Sequence, residues 1–157
     1  MTSDPAATSA SLRALALSRT PEEIGYVPTT WGPKVFGVLM ETGLKTAVFT
    51  LVCFFDGSTS LYFSSGGGVI GCGEHEPVKA AAKAFLSVAD KCAPFLSPTA
   101  EHPLPEVGHV HFYLRTPTAT LILHAAEGDL REKRHQMWPL YYTGNNVITV
   151  IRKLGLL

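Results

Sequence analysis

The stretch 109–124 constrains the fold of this chain more than any other part of its sequence. Two runs of alternating polar and apolar residues flank a Thr-Pro step at 116–117, which is the pattern of two antiparallel strands joined by a turn. A two-residue turn at that step places His109 opposite His124. One face of this hairpin is apolar, as expected for a strand pair lying on a core. The other face carries His109, His111, Tyr113, Arg115, Thr118, Thr120 and His124.

Three further strands are predicted in the first half of the chain. Residues 35–41 and 46–55 are apolar almost throughout. An Asp-Gly step at 56–57, a strong hairpin signal, leads into a third strand over 58–64. Strands that are apolar on both faces are covered on both sides by helices, by other segments or by a partner chain.

Helices are predicted before, between and after these strands. Residues 9–18 form a short helix, and a long amphipathic segment that ends at Pro94 forms the main one. The proline-rich stretch 94–107 predicts an exposed crossing loop. Residues 147–154 fit a helix or a strand, and the asparagine cap at 145–146, the basic last turn and the following glycine favour the helix.

This order of elements predicts an α+β fold, with a five-stranded antiparallel sheet and helices packed on it. A length of 157 residues is typical of a single domain spanning 1–157, and the small, polar residues 1–9 are compatible with a loose chain end. A charged fraction of 17% is too low for a solvated disordered chain.

Charge and targeting signals argue against several classes of function. The 13 basic and 13 acidic side chains cancel, which is unlike a nucleic-acid binder or a polybasic membrane binder. No secretory signal is recognised, and the longest apolar run, 47–55, falls short of the ~20 residues of a spanning helix, so no membrane insertion is expected. Cys53, Cys72 and Cys92 are odd in number without CxxC spacing, which favours a reduced, cytoplasmic setting.

The element order over residues 35–155 resembles the profilin-like group of folds, which includes the roadblock and longin modules. The resemblance lies in the order of helices and strands rather than in a residue motif. It implies a small dimerising scaffold or adaptor that has no catalytic residues.

His109, His111 and His124 form a candidate metal or small-ligand site. The first two lie two residues apart on one strand, so their rings point to the same side. Cross-strand β-carbons lie ~4.5–5.5 Å apart, so imidazoles on neighbouring strands can share one metal ion. Three neutral imidazoles suit zinc or another late divalent ion, with water in the open position. The alternatives are an ordinary solvent-facing sheet surface or an interface, because no carboxylate from nearby sequence falls on this face.

The glycine-rich stretch before the main helix is a second candidate. Its backbone N–H groups can bind an anion at the helix start. Cys72 lies near that start and is a candidate thiolate nucleophile with His75 as its base. The alternative is a strand end or bulge where glycines let backbones approach, since neither a GxGxxG spacing nor a P-loop is present. The candidate ligand-binding glycines are Gly66, Gly67, Gly68, Gly71 and Gly73.

The third candidate is the charged patch 129–135 with the aromatic residues Trp138, Tyr141 and Tyr142 after it. Basic and aromatic side chains together can bind nucleic acid, but the acidic residues here dilute the charge. The alternatives are a solvated segment whose aromatic rings dock on the core, and a partner-binding edge.

Together these patterns favour a small protein-interaction or scaffold module, homodimeric or with another protein partner, over an enzyme. The apolar strand surface exceeds what two or three short helices can cover. Paired catalytic carboxylates, a GxSxG elbow and a dinucleotide fingerprint are not recognised, and no cofactor is expected. Two alternatives stay open: a metal- or ligand-binding domain on the histidine face, and a small thiol-dependent enzyme using Cys72.

Overall fold

A computed structural model describes residues 5–157, with side chains from residue 7 onward, as one antiparallel sheet that has helices on both faces. The strands are β1 Gly37–Gly43, β2 Val48–Phe54, β3 Thr59–Phe63, β4 Gly68–Ile70, β5 Ser97–Pro98, β6 His109–Arg115 and β7 Thr120–Ala126. The α-helices are α1 Pro5–Ser18, α2 Glu76–Cys92, α3 Glu127–Arg131 and α4 Trp138–Lys153, and short 3₁₀ turns lie at Glu22–Ile24, Cys72–Glu74 and Ala93–Phe95. Within the described range, none of the helices is long and apolar enough to cross a membrane.

The α+β class and the antiparallel sheet are confirmed, but the predicted count of five strands is wrong. The sheet has seven strands in the order β4-β3-β2-β1-β6-β7-β5. The two additional strands are the edges, three and two residues long. They consist of residues such as Gly68 and Pro98, which the sequence pattern assigns to turns and loops, and they are too short to show alternation. Short edge strands leave little unpaired backbone for another sheet to join.

The helices follow the predicted order with different limits. α2 ends just before Pro94, as expected, with a proline in its first turn. The last element is a helix, but α4 begins at Trp138 rather than near residue 145. Asn145 is therefore no cap: its side-chain amide donates to the Tyr141 carbonyl from within the helix. Pro139 in the first turn starts this helix early, inside the segment that the sequence pattern presents as an aromatic patch.

The N-terminal helix is longer than predicted. α1 runs from Pro5 to Ser18, so residues 5–9 belong to a helix rather than to a loose end. The rest of that prediction, for residues 1–4, lies outside the described part of the chain.

The predicted pairing of the second hairpin is wrong by two residues. Arg115 pairs with Thr120 and His111 with His124, so the connection is the four-residue stretch 116–119. The Thr116 side chain holds this wider loop: its hydroxyl donates to the Ala119 carbonyl at 2.7 Å and accepts from the Ala119 N–H at 3.1 Å. Because the shift is even, each residue stays on its predicted face.

The sheet has a core on each face. On the first face, α2 and α4 pack against β1 through residues such as Val38 and Met40. On the second face, α1 and the segment after it cover a smaller cluster: Ala16, Ile24, Tyr26, Phe36, Leu39, Val52, Phe54, Tyr62 and Tyr113. The doubly apolar strands are thus covered by this chain itself.

The proline-rich stretch 94–107 is only partly the exposed loop that the sequence predicts. It contains β5, Pro105 is buried, and the Pro103 carbonyl accepts hydrogen bonds from His111 and Tyr113 on the second face. The polar groups on that face need partners when they are covered, and this loop supplies them.

Candidate functional site

A row of polar side chains crosses the second face of the sheet. Tyr62 pairs with Thr50, Thr50 with Glu41, Glu41 with His111, and His111 with His124, so the five residues occupy one register line across β3, β2, β1, β6 and β7. Four of them are buried, and the row opens to solvent only at His124. These five residues are called the polar row below.

Glu41 at the centre of the row is 0% exposed and is held by Arg13 of α1. The guanidinium donates from Nε to Oε2 at 2.8 Å and from Nη2 to Oε1 at 2.9 Å. The Thr50 hydroxyl donates to Oε2 at 2.8 Å. Burial opposes the charge of Arg13, but the hydrogen bonds and charge of Glu41 outweigh it and raise the guanidinium pKa. A buried carboxylate is tolerated only when it is paired in this way, so the pair fixes α1 over the row.

His111 is held in one tautomer. Its Nδ1 lies 2.9 Å from the Pro103 carbonyl, which can only accept, so Nδ1 carries the proton and Nε2 keeps its lone pair. Burial, and then the neighbouring His124, lower the pKa of the His111 imidazole below its usual 6.5. His111 is therefore a neutral imidazole at neutral pH.

The structure brings the three predicted histidines together, with His124 between the other two. Its ring centroid lies 4.6 Å from that of His111 and 5.1 Å from that of His109. As the side chains stand, no group of three or more His, Cys, Asp or Glu residues in the described chain is arranged to hold a metal ion. The histidine face is covered only in part: His111 and Tyr113 are buried beneath α1 and the stretch 94–107, whereas His124 is exposed.

Clefts flank α1 on both sides. One, of about 710 Å³, is lined by Arg13, Thr50 and His102 among others. The other, of about 320 Å³, lies between α1 and the β3–β4 turn and is lined by Tyr62 and glycines 66–68. The Tyr62 hydroxyl is buried and lacks a hydrogen-bond partner among the residues described. Burial, and then the charge of Glu41, raise the pKa of this hydroxyl, so it stays protonated.

The five candidate glycines do not form one anion-binding loop. Gly66 and Gly67 lie in the β3–β4 connection and Gly68 begins β4, and all three have positive φ angles. Gly71 precedes a 3₁₀ turn, and a Cβ on Gly73 would lie 1.9 Å from the Gly57 carbonyl oxygen. Turns and close backbone approach explain these glycines, which is the alternative that their spacing left open.

Cys72 and His75 are not arranged as a nucleophile and its base. The Cys72 thiol is buried and lies 3.3 Å from the Thr59 carbonyl oxygen. Burial raises the pKa of this thiol, the opposite of what a thiolate nucleophile needs. The described partner of His75 is Glu74, at 3.7 Å between Nε2 and Oε1.

The charged patch 129–135 pairs mostly with its own neighbours. Asp129 accepts from Arg134 at 3.0 Å, and the Lys133 ammonium lies 4.6 Å from the centroid of a Trp138 ring. Tyr142 donates to the Arg131 carbonyl at 2.7 Å. These contacts join α3 to α4 and favour the structural interpretation of the patch.

An exposed tryptophan marks a second surface. The Gly- and Pro-rich stretch 25–34 predicts only a connector, yet Trp31 within it is 96% exposed. It stands on the rim of a groove of about 610 Å³ beside α2, which is lined by the half-exposed Phe55 and by the mostly buried Val35 and Leu86. Lys83 and Asp90 also line the groove. A lone tryptophan in a polar connector is the sequence signal for such a surface.

The sequence pattern also does not predict the ion pair at the centre of the polar row. Glu41 is a single carboxylate in an otherwise apolar strand, which is the available signal for a buried pair. Its partner Arg13 is 28 residues away, so only the fold shows that the two meet.

No protein-family model matches the chain, and comparisons with curated proteins and with solved structures found no similar protein either. The fold and its sites define an α+β protein with two notable surfaces. On one sheet face lies the polar row, held by the Arg13–Glu41 ion pair. Near the other face, an exposed tryptophan stands beside a groove.

Proposed function

We propose that the protein is a small cytoplasmic protein-interaction module that forms a homodimer through the surface around Trp31. The carrying observation is a tryptophan that is 96% exposed beside an apolar groove. An aromatic side chain buries ~150–250 Å² when it is covered, and tryptophan is the residue most typical of interface hot spots.

A second copy of the chain suits this groove because the protruding Trp31 side chain and the groove belong to the same surface. In a two-fold dimer each Trp31 enters the groove of its partner, so one contact forms twice. Lys83 and Asp90 line the same groove, and the Asp90 carboxylate accepts hydrogen bonds from the N–H groups of Lys34 and Val35, which holds the end of the Trp31 segment against α2. The fold is proposed to resemble the profilin-like and roadblock modules in element order, which implies a dimerising adaptor. The three free, buried cysteines support a reducing compartment.

This proposal does not depend on uncovered strand surface. The second sheet face is covered by α1 and the segment after it, and the edge strands are short. The homodimer proposal therefore rests on Trp31 and its groove alone.

Sedimentation velocity over a concentration series tests the proposal, with Trp31→Ser as the variant and Val107→Ser as the control. Val107 is also exposed, at 59%, but lies beside β6 and away from the groove. We expect a dimer at micromolar concentration, a dissociation constant at least about tenfold higher for Trp31→Ser, and an unchanged value for Val107→Ser. A monomeric wild-type chain, or a dimer indifferent to Trp31→Ser, overturns the proposal.

A further inference from the structure

We propose that His111 and His124 form a binding site for a divalent transition-metal ion, with His109 beside them as a third ligand. The site lies at the solvent-exposed end of the polar row, on the second sheet face. It is therefore separate from the Trp31 groove and independent of the homodimer.

His111 makes one hydrogen bond that is typical of metal-binding histidines. Metal-binding imidazoles typically donate their second N–H to a carbonyl or carboxylate, which fixes ring orientation and tautomer. His111 does so from Nδ1 to the Pro103 carbonyl at 2.9 Å, and the Tyr113 hydroxyl donates to the same oxygen at 2.5 Å. The lone pair on Nε2 is left for a cation. The residue as a whole is 5% exposed, and its Nε2 keeps some contact with solvent.

The spacing of the rings suits one ion. With Zn–N bonds of ~2.0–2.1 Å, two imidazoles on a tetrahedral ion have ring centroids roughly 5 Å apart. The two observed separations, 4.6 Å for His111–His124 and 5.1 Å for His109–His124, lie near this value. His124 is exposed, and its ring contacts those of His109 and His111 edge to face. Closing the site around one ion therefore requires rotation of these side chains and no change of strand register.

The ligand set selects the class of metal. Imidazole nitrogens favour zinc, copper and nickel, whereas magnesium and calcium need oxygen ligands. The carboxylate next in the row, Glu41, is already taken by Arg13 and Thr50. Because His124 is exposed, water completes the coordination, and we expect an affinity below that of a closed structural site.

Calorimetric titration of untagged, chelator-treated protein with Zn²⁺ tests the proposal. We expect one equivalent of Zn²⁺ to bind, about tenfold or more weaker binding in His124→Ala, and no binding of Mg²⁺. His124 is the decisive position because it is exposed, so His124→Ala leaves the fold intact where His111→Ala removes a buried contact. His135→Ala, a half-buried histidine between α3 and α4, is the matched control and should bind as the wild type does.

Two further readouts keep the outcome decisive. In ¹H–¹⁵N spectra, Zn²⁺ should shift the imidazole signals of His111 and His124 and leave those of His75 in place. Trp31→Ser should bind Zn²⁺ normally, so failure of the homodimer and failure of the metal site are distinguishable. Absence of stoichiometric Zn²⁺ binding, or undiminished binding in His124→Ala, overturns the proposal.

Discussion

Glu41 fixes the position of α1, the helix that covers the second face of the sheet. It is a fully buried carboxylate on the central strand, and its partner Arg13 comes from α1. The apolar contact of α1 with the sheet involves Leu12, Ala16 and Leu17. Since this apolar contact is small, we expect the Arg13–Glu41 ion pair to contribute much of the interaction that holds α1 on the sheet.

Breaking the Arg13–Glu41 pair on one side should cost more than removing it altogether. We expect Arg13→Met to lower the free energy of unfolding by about 3–5 kcal/mol, because Glu41 is left buried without its counter-charge. The double variant Arg13→Met with Glu41→Met should recover much of this loss, and urea denaturation of the wild type, both single variants and the double variant measures it. A double variant as unstable as Arg13→Met would contradict the account.

Two buried tyrosines on the same face should differ in how much stability they lose when the hydroxyl is removed. Tyr62 has no described hydrogen-bond partner, so Tyr62→Phe should leave stability unchanged or raise it by about 1 kcal/mol. Tyr113 donates to the Pro103 carbonyl, so Tyr113→Phe should lower it by about 1 kcal/mol. Thermal and urea unfolding compare the two, and equal losses in both would show that Tyr62 has a partner in solution.

At this scale the sequence predicts which residue types share a face but not which of them meet. Alternation places His109, His111 and His124 on one side because the period of a strand is two. It cannot show that Arg13 reaches Glu41, because that contact depends on where α1 docks.

His102 in the stretch 94–107 and His111 in β6 should make the stability of the fold depend on pH. Burial lowers the pKa of His111 and of His102 below the usual 6.5. Between these lowered values and about pH 6.5 the unfolded chain binds more protons than the folded chain. The free energy of unfolding should therefore decrease as the pH is lowered from about 6.5 toward the lowered pKa values, and it should be recovered when the pH is returned to neutrality.

Urea denaturation at about pH 7.5 and about pH 5.5 measures this dependence. The double variant His102→Gln with His111→Gln should show a smaller difference between the two pH values than the wild type. An equal difference in both proteins would place the sensitivity elsewhere.

The β3–β4 turn offers a matched pair of glycines. A Cβ on Gly68 would lie 2.1 Å from the Leu61 carbonyl oxygen, whereas nothing lies within 4 Å of a Cβ on Gly67. Both have positive φ, so Gly67→Ala should cost about 1–2 kcal/mol from backbone strain alone. Gly68→Ala should cost about 1–3 kcal/mol more because of the clash. Thermal unfolding checks the difference, and equal losses would contradict the close approach.

The elements themselves were predictable where a periodic pattern is long. α2 follows from its amphipathic spacing and the stop at Pro94. The hairpin register depends on how Thr116 bonds within a four-residue turn, which alternation does not encode. The edge strands are too short for any period, and α4 starts early because Pro139 suits a first turn.

At the scale of the molecule, the chain itself packs on both faces of the sheet. Among the described residues, Trp31 is the most exposed large apolar side chain. The α+β architecture could be predicted from element order. The Trp31 surface could not, because it forms where a connector meets α2 and Phe55, the residue after β2. The homodimer proposal consequently depends on this one surface.

Trp31 fluorescence in a Trp138→Phe variant, in which Trp31 is the sole tryptophan, tests this statement most directly. As the protein concentration rises through the dimer dissociation constant, the emission should move to shorter wavelength, because Trp31 leaves water for the partner's groove. Sedimentation of the same samples supplies the mass. An emission that stays that of a fully exposed tryptophan at every concentration, whether or not the mass doubles, would contradict the account.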